Sequence, residues 1–419
     1  MEKIKYIISN NFSGLFSDKM LLKKIGIITG SLLTIILINI FIAKNLVGGD
    51  YFFSIWKTTQ LTFSENYGPY SISAQNIINL EVEKIGYISN NKYNLPFLTL
   101  FIVAPFSLIR DFEIARALWM TFLQGCIYFS IIFFSEYFYK KEKIYINSII
   151  PTVAIFTNIF VIPVIMQGFL TPLILFLSIY SFILLISGKD ESGGIVASFL
   201  FIEPSVSILL ISFLLIFAAV KRRWGYVIWF VIASALIFSV SLLISRDWIL
   251  EFAKQSLNGS GLLIMENLKT IFPNQHLIIY YALLVIPSVI VIIETIRSIQ
   301  MDIQNILIWN ICLVFLLGIL IYLRLDGSNF IFILPGILLI FNSWNENSTI
   351  GGKIMANFIL WIFSFITFFR IISFPEFLAG NINITIGSLY LPIIFIVLNM
   401  YWVRLWLIRA NQQSLINKY

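Results

Sequence analysis

The sequence predicts an all-α, polytopic membrane protein: one integral domain over residues 1–419, with roughly 10–12 transmembrane helices. Three observations predict it. Hydrophobic residues make up 59% of the chain and charged residues 12%, with a mean hydropathy of +0.92; soluble domains carry about 25% charged residues. Several apolar runs reach the ~20 residues that cross a hydrocarbon core. The basic residues behind a net charge of +7 sit in short loops between those runs, which is topology information rather than a nucleic-acid surface. The 40 Phe, 18 Tyr and 10 Trp residues suit lipid-facing and interfacial positions. Cys126 and Cys312 lie inside apolar runs, with no disulfide framework or metal-binding spacing.

Residues 1–24 carry Lys3, Lys5, Lys19, Lys23 and Lys24 against Glu2 and Asp18, which places this end in the cytoplasm. Tyr6, Ile7, Ile8, Phe12, Leu15 and Phe16 within it fit an interfacial amphipathic helix. Residues 25–43 form the first span and deliver Asp50 to the outer face. Residues 44–93 are the first extracytoplasmic loop and the longest polar segment. Helical spacing recurs there from Tyr51 to Phe63 and over 74–85, separated by the breaker Gly68-Pro69. Two short helices at the outer membrane surface are therefore expected.

Segments 94–109 and 113–137 cannot both be spans if Lys140, Lys141 and Lys143 are cytoplasmic. Either one is re-entrant or that basic loop breaks the rule. Residues 144–163 then run outward and 166–187 return. Residues 193–203 and 204–219, split at Glu203-Pro204, read as a half-span and a span; a residue before proline is biased out of the helical region. Lys221, Arg222 and Arg223 mark a cytoplasmic loop. Spans follow at 224–244, 277–296, 305–323, 328–341, 355–372 and 387–408, and Arg297, Lys353, Arg404, Arg409 and Lys418 fall on the cytoplasmic side. This places 245–276, 324–328 and 374–386 on the same outer face as Asp50. No internal repeat is visible, which weighs against the duplicated architecture of many transporters.

Asp50, in Gly48-Gly49-Asp50-Tyr51, is the leading candidate for chemistry. An ionisable group at the mouth of a membrane protein is costly to place there and marks function by default; a carboxylate merely solvated at a helix end is the alternative. Lys57 follows it by about two helical turns and either faces the same cavity or is solvated. Glu203, between apolar runs, needs a cavity or a partner, because an unpaired carboxylate in hydrocarbon is expensive. His276, the single histidine, is placed to donate a hydrogen bond to a phosphate, set against an interfacial histidine without a role. Arg324 has the fork geometry for phosphate oxygens; with Asp326 it is equally readable as a surface ion pair.

A set of weak motifs follows in order: Gly48-Gly49-Asp50-Tyr51, Tyr67-Gly68-Pro69-Tyr70, Tyr93-Asn94-Leu95-Pro96-Phe97, Ala104-Pro105-Phe106, Ala115-Arg116-Ala117-Leu118-Trp119, Met166-Gln167-Gly168, Gly193-Gly194-Ile195, Glu203-Pro204 and Lys221-Arg222-Arg223-Trp224. Over roughly residues 25–340 this order resembles glycosyltransferase family 87 of the GT-C superfamily, whose members take sugars from polyprenyl phosphates. The resemblance implies a GT-C-like bundle and makes Asp50, by its position after the first span, the catalytic base. It also brings in Gln167, Tyr70 and Asn329 as candidate substrate-binding residues. The chain departs from the family at three places. Met166-Gln167-Gly168 stands where a Gly-Gln pair is usual, and Glu203-Pro204 where Lys-Pro is usual. Leu325-Asp326-Gly327-Ser328-Asn329-Phe330 stands near the usual Ser-Trp-x-His-His.

The expected function is transfer of a hexose such as mannose from a polyprenyl-phosphate sugar to a lipid or glycan acceptor at the outer face of a prokaryotic plasma membrane. One carboxylate suffices as base, because an anionic phosphate leaving group needs no protonating acid, unlike the leaving group of a glycosidase. With no second acid beside Asp50 and no histidine cluster, no metal or other cofactor is implied. The competing readings are a lipid-linked glycan flippase, which needs polar groups along several spans, and an O-antigen polymerase or ligase, which places its large outer loop late rather than first.

Overall fold

The structure is a computed structural model that describes residues 19–46, 48–85, 93–138, 161–258, 277–301, 303–321, 327–347, 354 and 386–416. Among these residues every regular element is helical. In chain order they are α1 (Lys19–Asn45), α2 (Asp50–Ser64), α3 (Ile72–Ile85), α4 (Leu98–Ser107), α5 (Phe112–Phe138), α6 (Val161–Gln167), α7 (Thr171–Ile186) and α8 (Asp190–Ser198). A 3-10 turn over Phe199–Ile202 leads to α9 (Pro204–Val220), α10 (Trp224–Ile244) and α11 (Trp248–Asn258). α12 (Leu277–Met301), α13 (Gln304–Ile321), a second 3-10 turn (Gly327–Ile333), α14 (Leu334–Asn347) and α15 (Ile386–Ile416) complete the described chain.

By length and composition two helices among the described residues can cross a membrane, Phe112–Ser135 and Trp224–Ile244, or four if each of two bent pairs counts as one span. The roughly 10–12 expected spans include stretches at 144–160 and 355–372 that lie outside the described residues. Within the described residues, two helical paths bend at breaks that hydropathy does not register. Thr29–Asn45 and Asp50–Ser64 meet at 98°, and Val161–Gln167 and Thr171–Ile186 at 111°. At these bends Gly48, Gly49 and Gly168 have φ of 137°, 95° and 77°, values that only glycine adopts without strain. A third break falls at Glu203-Pro204 as expected, where α9 begins with proline at its first turn. Several further apolar helices are shorter, among them Leu98–Ser107, Pro204–Val220 and Asn305–Ile319.

Of the two conflicting segments near residue 100, the short one is α4. Its 10 residues rise about 15 Å, half of the ~30 Å hydrocarbon thickness. The expected return span at 166–187 begins only at Thr171, after the bend. The expected span 224–244 coincides with α10. Most of α10 faces outward, with Ile228, Val231, Leu236, Val240 and Leu243 exposed; an apolar outer face of this kind is compatible with a lipid solvent. The amphipathic segment at 6–16, the basic loop at 140–143 and the span at 355–372 lie outside the described residues.

Both short helices of the first loop are present as α2 and α3, with Pro69 and Tyr70 in the turn between them. Ser71 caps α3 by accepting from the Ala74 N–H at 3.2 Å. α2 is more enclosed than a helix resting on a membrane surface: Tyr51 through Trp56, Thr58, Thr59, Leu61 and Thr62 are buried. It packs against α3, α4, α5 and α6. Trp56 Nε1 donates to Phe106 O at 3.2 Å and Gln60 Nε2 to Ser107 O at 3.0 Å, fixing α2 to the C-terminal end of α4.

Polar contacts join the longer helices. Asn39 on α1 donates to Thr121 Oγ1 and Gln124 Oε1 on α5, both at 2.8 Å, the kind of bond that holds apolar helices together without a hydrophobic driving force. α8 meets α10 through Gly193 and Gly194, which lie flat on Tyr226; Tyr226 and Ser181 share a hydroxyl hydrogen bond of 2.7 Å. A Cβ on Gly194 would sit 2.8 Å from the backbone nitrogen of Phe230, and backbone cannot yield as a side-chain tip can. Gly194→Ala is expected to lower stability by about 1–3 kcal/mol, read as a lower Tm for the purified protein. An unchanged Tm would show that the α8–α10 contact is looser than described.

The late helices are tied by a buried ion cluster. Glu294 on α12 has a side chain only 5% exposed. Its Oε2 lies 3.0 Å from Arg404 Nη2 on α15, an ion pair rather than a well-aligned hydrogen bond, and its Oε1 accepts from Arg297 Nη1 at 3.1 Å. Tyr401 donates to the same Oε1 at 3.5 Å. The Arg404 guanidinium lies 5.2 Å from the centre of the Trp309 ring, whose Nε1 donates to Met400 O at 2.6 Å. α12, α13 and α15 thus meet at one charged knot.

Candidate functional site

Three of the sequence motifs, far apart in the chain, converge in space. They are Gly48-Gly49-Asp50, the Arg116–Trp119 stretch of α5, and Met166-Gln167-Gly168 at the second bend. α1 ends at Asn45 and leaves carbonyls without intrahelical partners, as every helix end does. Arg116, only 1% exposed, supplies donors for them: its Nη1 donates to Ala43 O at 3.3 Å and Leu46 O at 3.0 Å. Its Nε and Nη2 donate to Met166 O, at the end of α6, at 3.3 and 3.2 Å. One guanidinium therefore closes two helix breaks.

The glycines are required by this arginine. A Cβ on Gly48 would lie 2.8 Å from Arg116 Nη2, and one on Gly49 2.7 Å from Arg116 Cδ and Nε. The Gly49 N–H donates to Gln167 Oε1 at 3.2 Å. Trp119 Nε1 donates to Gly168 O at 2.9 Å, and the Trp119 ring stacks on Phe52 with centroids 5.1 Å apart. A Cβ on Gly168 would meet Phe52 Cβ at 2.6 Å. The elbow is thus packed on every side that the described residues show.

From this elbow α2 starts, and Asp50 is its first residue. The helix dipole favours an anion there. The carboxyl is half-buried, and its Oδ1 is enclosed with no hydrogen-bond partner. Burial pushes its proton affinity up, while its own backbone N–H and the nearby Arg116 charge pull it back, so it stands above the usual carboxylate range. A half-buried carboxylate whose proton affinity is raised can accept a proton from a hydroxyl brought against its accessible side.

The remaining candidates divide. Gln167 is buried and belongs to the elbow. Asn329 is buried on the second 3-10 turn, which packs against α6 and α7 beside it. Lys57 is neither solvated nor directed to Asp50: its Nζ lies 2.9 Å from Glu81 Oε1 on α3, a pairing that helix spacing within α2 could not reveal. Tyr70 is buried with its hydroxyl donating to Leu95 O at 2.7 Å, so it shapes the 93–97 turn. Glu203 is 3% exposed. It follows the Ile202 carbonyl that accepts from Thr99 Oγ1 at 2.9 Å, at the N-terminal end of α4, opposite the end that holds α2. His276, Arg324 and Asp326 lie outside the described residues. Arg116 is the residue that sequence reasoning passed over. The signal was available: an arginine within the long apolar segment 114–135, where charge is rare and functional.

No family model, curated protein or solved structure matches the chain. What the fold and the site define is a broken-helix, all-α chain with apolar helices of membrane-crossing length and one shielded carboxylate at a glycine elbow.

Proposed function

We propose that this chain is an integral membrane glycosyltransferase that moves a sugar, a hexose such as mannose, from a polyprenyl-phosphate donor to a lipid or glycan acceptor at the outer face of a prokaryotic plasma membrane. The observation that carries the reading is the half-buried Asp50 carboxyl at the start of α2, on the glycine elbow that Arg116 closes. The acceptor hydroxyl gives its proton to the Asp50 carboxylate as its oxygen forms a bond to the anomeric carbon. The bond from that carbon to the phosphate oxygen breaks, and its electron pair leaves on the phosphate. Direct displacement of this kind inverts the anomeric configuration. Donors are needed where charge grows on the phosphate; Arg324 and His276 are assigned there, with Gln167 and Asn329 on the sugar or acceptor side.

The test is transfer of radiolabelled sugar from a panel of polyprenyl-phosphate sugars in membranes. Label moving to product with wild type and not with Asp50→Asn supports the reading and names the sugar. A folded wild-type protein that transfers from no donor shifts the weight to lipid-linked glycan flipping. Arg324→Ala is expected to raise the donor KM by about 10-fold or more, as loss of a charge-assisted phosphate contact does, with the acceptor KM unchanged. An unaltered donor titration removes Arg324 from the site.

A further inference from the structure

We infer that Arg116 is the positioning residue of the Asp50 site: by gripping the carbonyls of two broken helices it fixes the elbow that aims the carboxylate, and it supplies the positive charge set against that carboxylate. The inference rests on the transferase reading above for its kinetic part only. Its first support is the hydrogen bonding. Ala43, Leu46 and Met166 carbonyls all accept from Arg116, so the end of α1 and the end of α6 share a single anchor. A buried guanidinium with fewer acceptors would be strongly disfavoured.

The second support is the fit. Both glycines before Asp50 lie flat on the arginine, at distances that exclude any side chain. Movement of the guanidinium is therefore movement of the peptide that leads into Asp50. The third is charge. Among the elements packed against α2, α4 and α6 carry no ionisable side chain, α3 carries Glu81, Glu83 and Lys84, and α5 carries Glu113, Cys126, Tyr128, Glu136, Tyr137 and Arg116. Glu81 is held by Lys57, Glu113 is exposed, and the charge that acts on Asp50 is that of Arg116. Lysine could carry the charge but not the fork; its single ammonium cannot span both helix ends.

The experiment uses the full-length protein in lipid nanodiscs. A water-soluble carbodiimide, which modifies protonated carboxyls, is applied across a pH series, and Asp50 labelling is read by mass spectrometry in wild type, Arg116→Gln and Arg116→Lys. Sugar transfer is measured in parallel. Arg116→Gln is expected to shift the Asp50 labelling midpoint up, since it removes a positive charge that lowers the carboxyl's proton affinity. Arg116→Lys is expected to hold the midpoint near wild type but lower kcat about 100-fold with little change in donor KM, the cost of a misplaced base. A wild-type midpoint in folded Arg116→Gln protein, or wild-type turnover in Arg116→Lys, overturns the inference. Should Arg116→Gln not fold, Gly49→Ala carries the test, since its methyl displaces the guanidinium while leaving the charge count intact; an unmoved midpoint there also overturns it. A shifted midpoint in a wild-type background that transfers no sugar sinks the transferase reading and leaves the electrostatic role of Arg116 standing.

Discussion

Asp50→Asn is expected to abolish sugar transfer, a loss of at least ~1,000-fold in kcat, while leaving the protein folded. General-base catalysis contributes typically 10²–10⁴-fold, and the described elbow brings no second carboxylate to take over. Asparagine keeps the shape and the helix-start position but has no lone pair basic enough to take the hydroxyl proton. Stability should move the other way. The folded state holds the Asp50 carboxyl above its ordinary proton affinity, chiefly through burial. A group raised in this way stabilises the fold most when protonated, and that contribution is lost as pH rises through the folded-state pKa. At neutral pH the neutral amide therefore costs the fold less than the carboxylate, and Tm should be equal to or above wild type. The same shift places the acid limb of the rate profile above the usual carboxylate range, with activity falling as pH is lowered through it. Retained turnover in purified Asp50→Asn protein would falsify the base assignment; a Tm well below wild type would show that Asp50 has a structural duty instead.

Glu294→Ala should be the most damaging single change for stability. It strands Arg404, 14% exposed, beside a vacated site, and breaking a buried pair by removing one partner costs about 3–5 kcal/mol. The expected readout is a large drop in Tm, or loss of the monodisperse peak in detergent. Glu294→Leu combined with Arg404→Leu should recover most of that loss, since an apolar replacement of both partners removes the stranded charge. An unchanged Tm in Glu294→Ala, or a double variant as unstable as the single, would show that the knot does not join the late helices.

Much of the architecture is legible in the sequence, and the exceptions share one cause. Hydropathy and helical spacing find α10, α2, α3 and the Glu203-Pro204 break, because each is written locally. The bends at Gly48-Gly49 and Gly168 are not. A glycine with positive φ looks the same in sequence as a glycine inside a straight helix, and only Arg116 and Trp119, distant in the chain, explain why these must be glycine. Lys57 illustrates the same limit: its partner Glu81 sits on the next helix, past a turn. Asp50 stands out by position, but its enclosed oxygen and its relation to Arg116 and Gln167 exist only once α1, α2, α5 and α6 are assembled.

The hydrogen bonds of Arg116 reach back to Ala43 and Leu46 and forward to Met166. During synthesis the arginine is therefore made long before one of its acceptors, and must wait in water or at the translocon for residue 166. A nascent chain stopped before the second bend has its candidate acid but no elbow to aim it. Assembly of the elbow therefore waits on α6 being made, and the two ends of its anchor are separated by the whole of α2 to α5 in the order of synthesis.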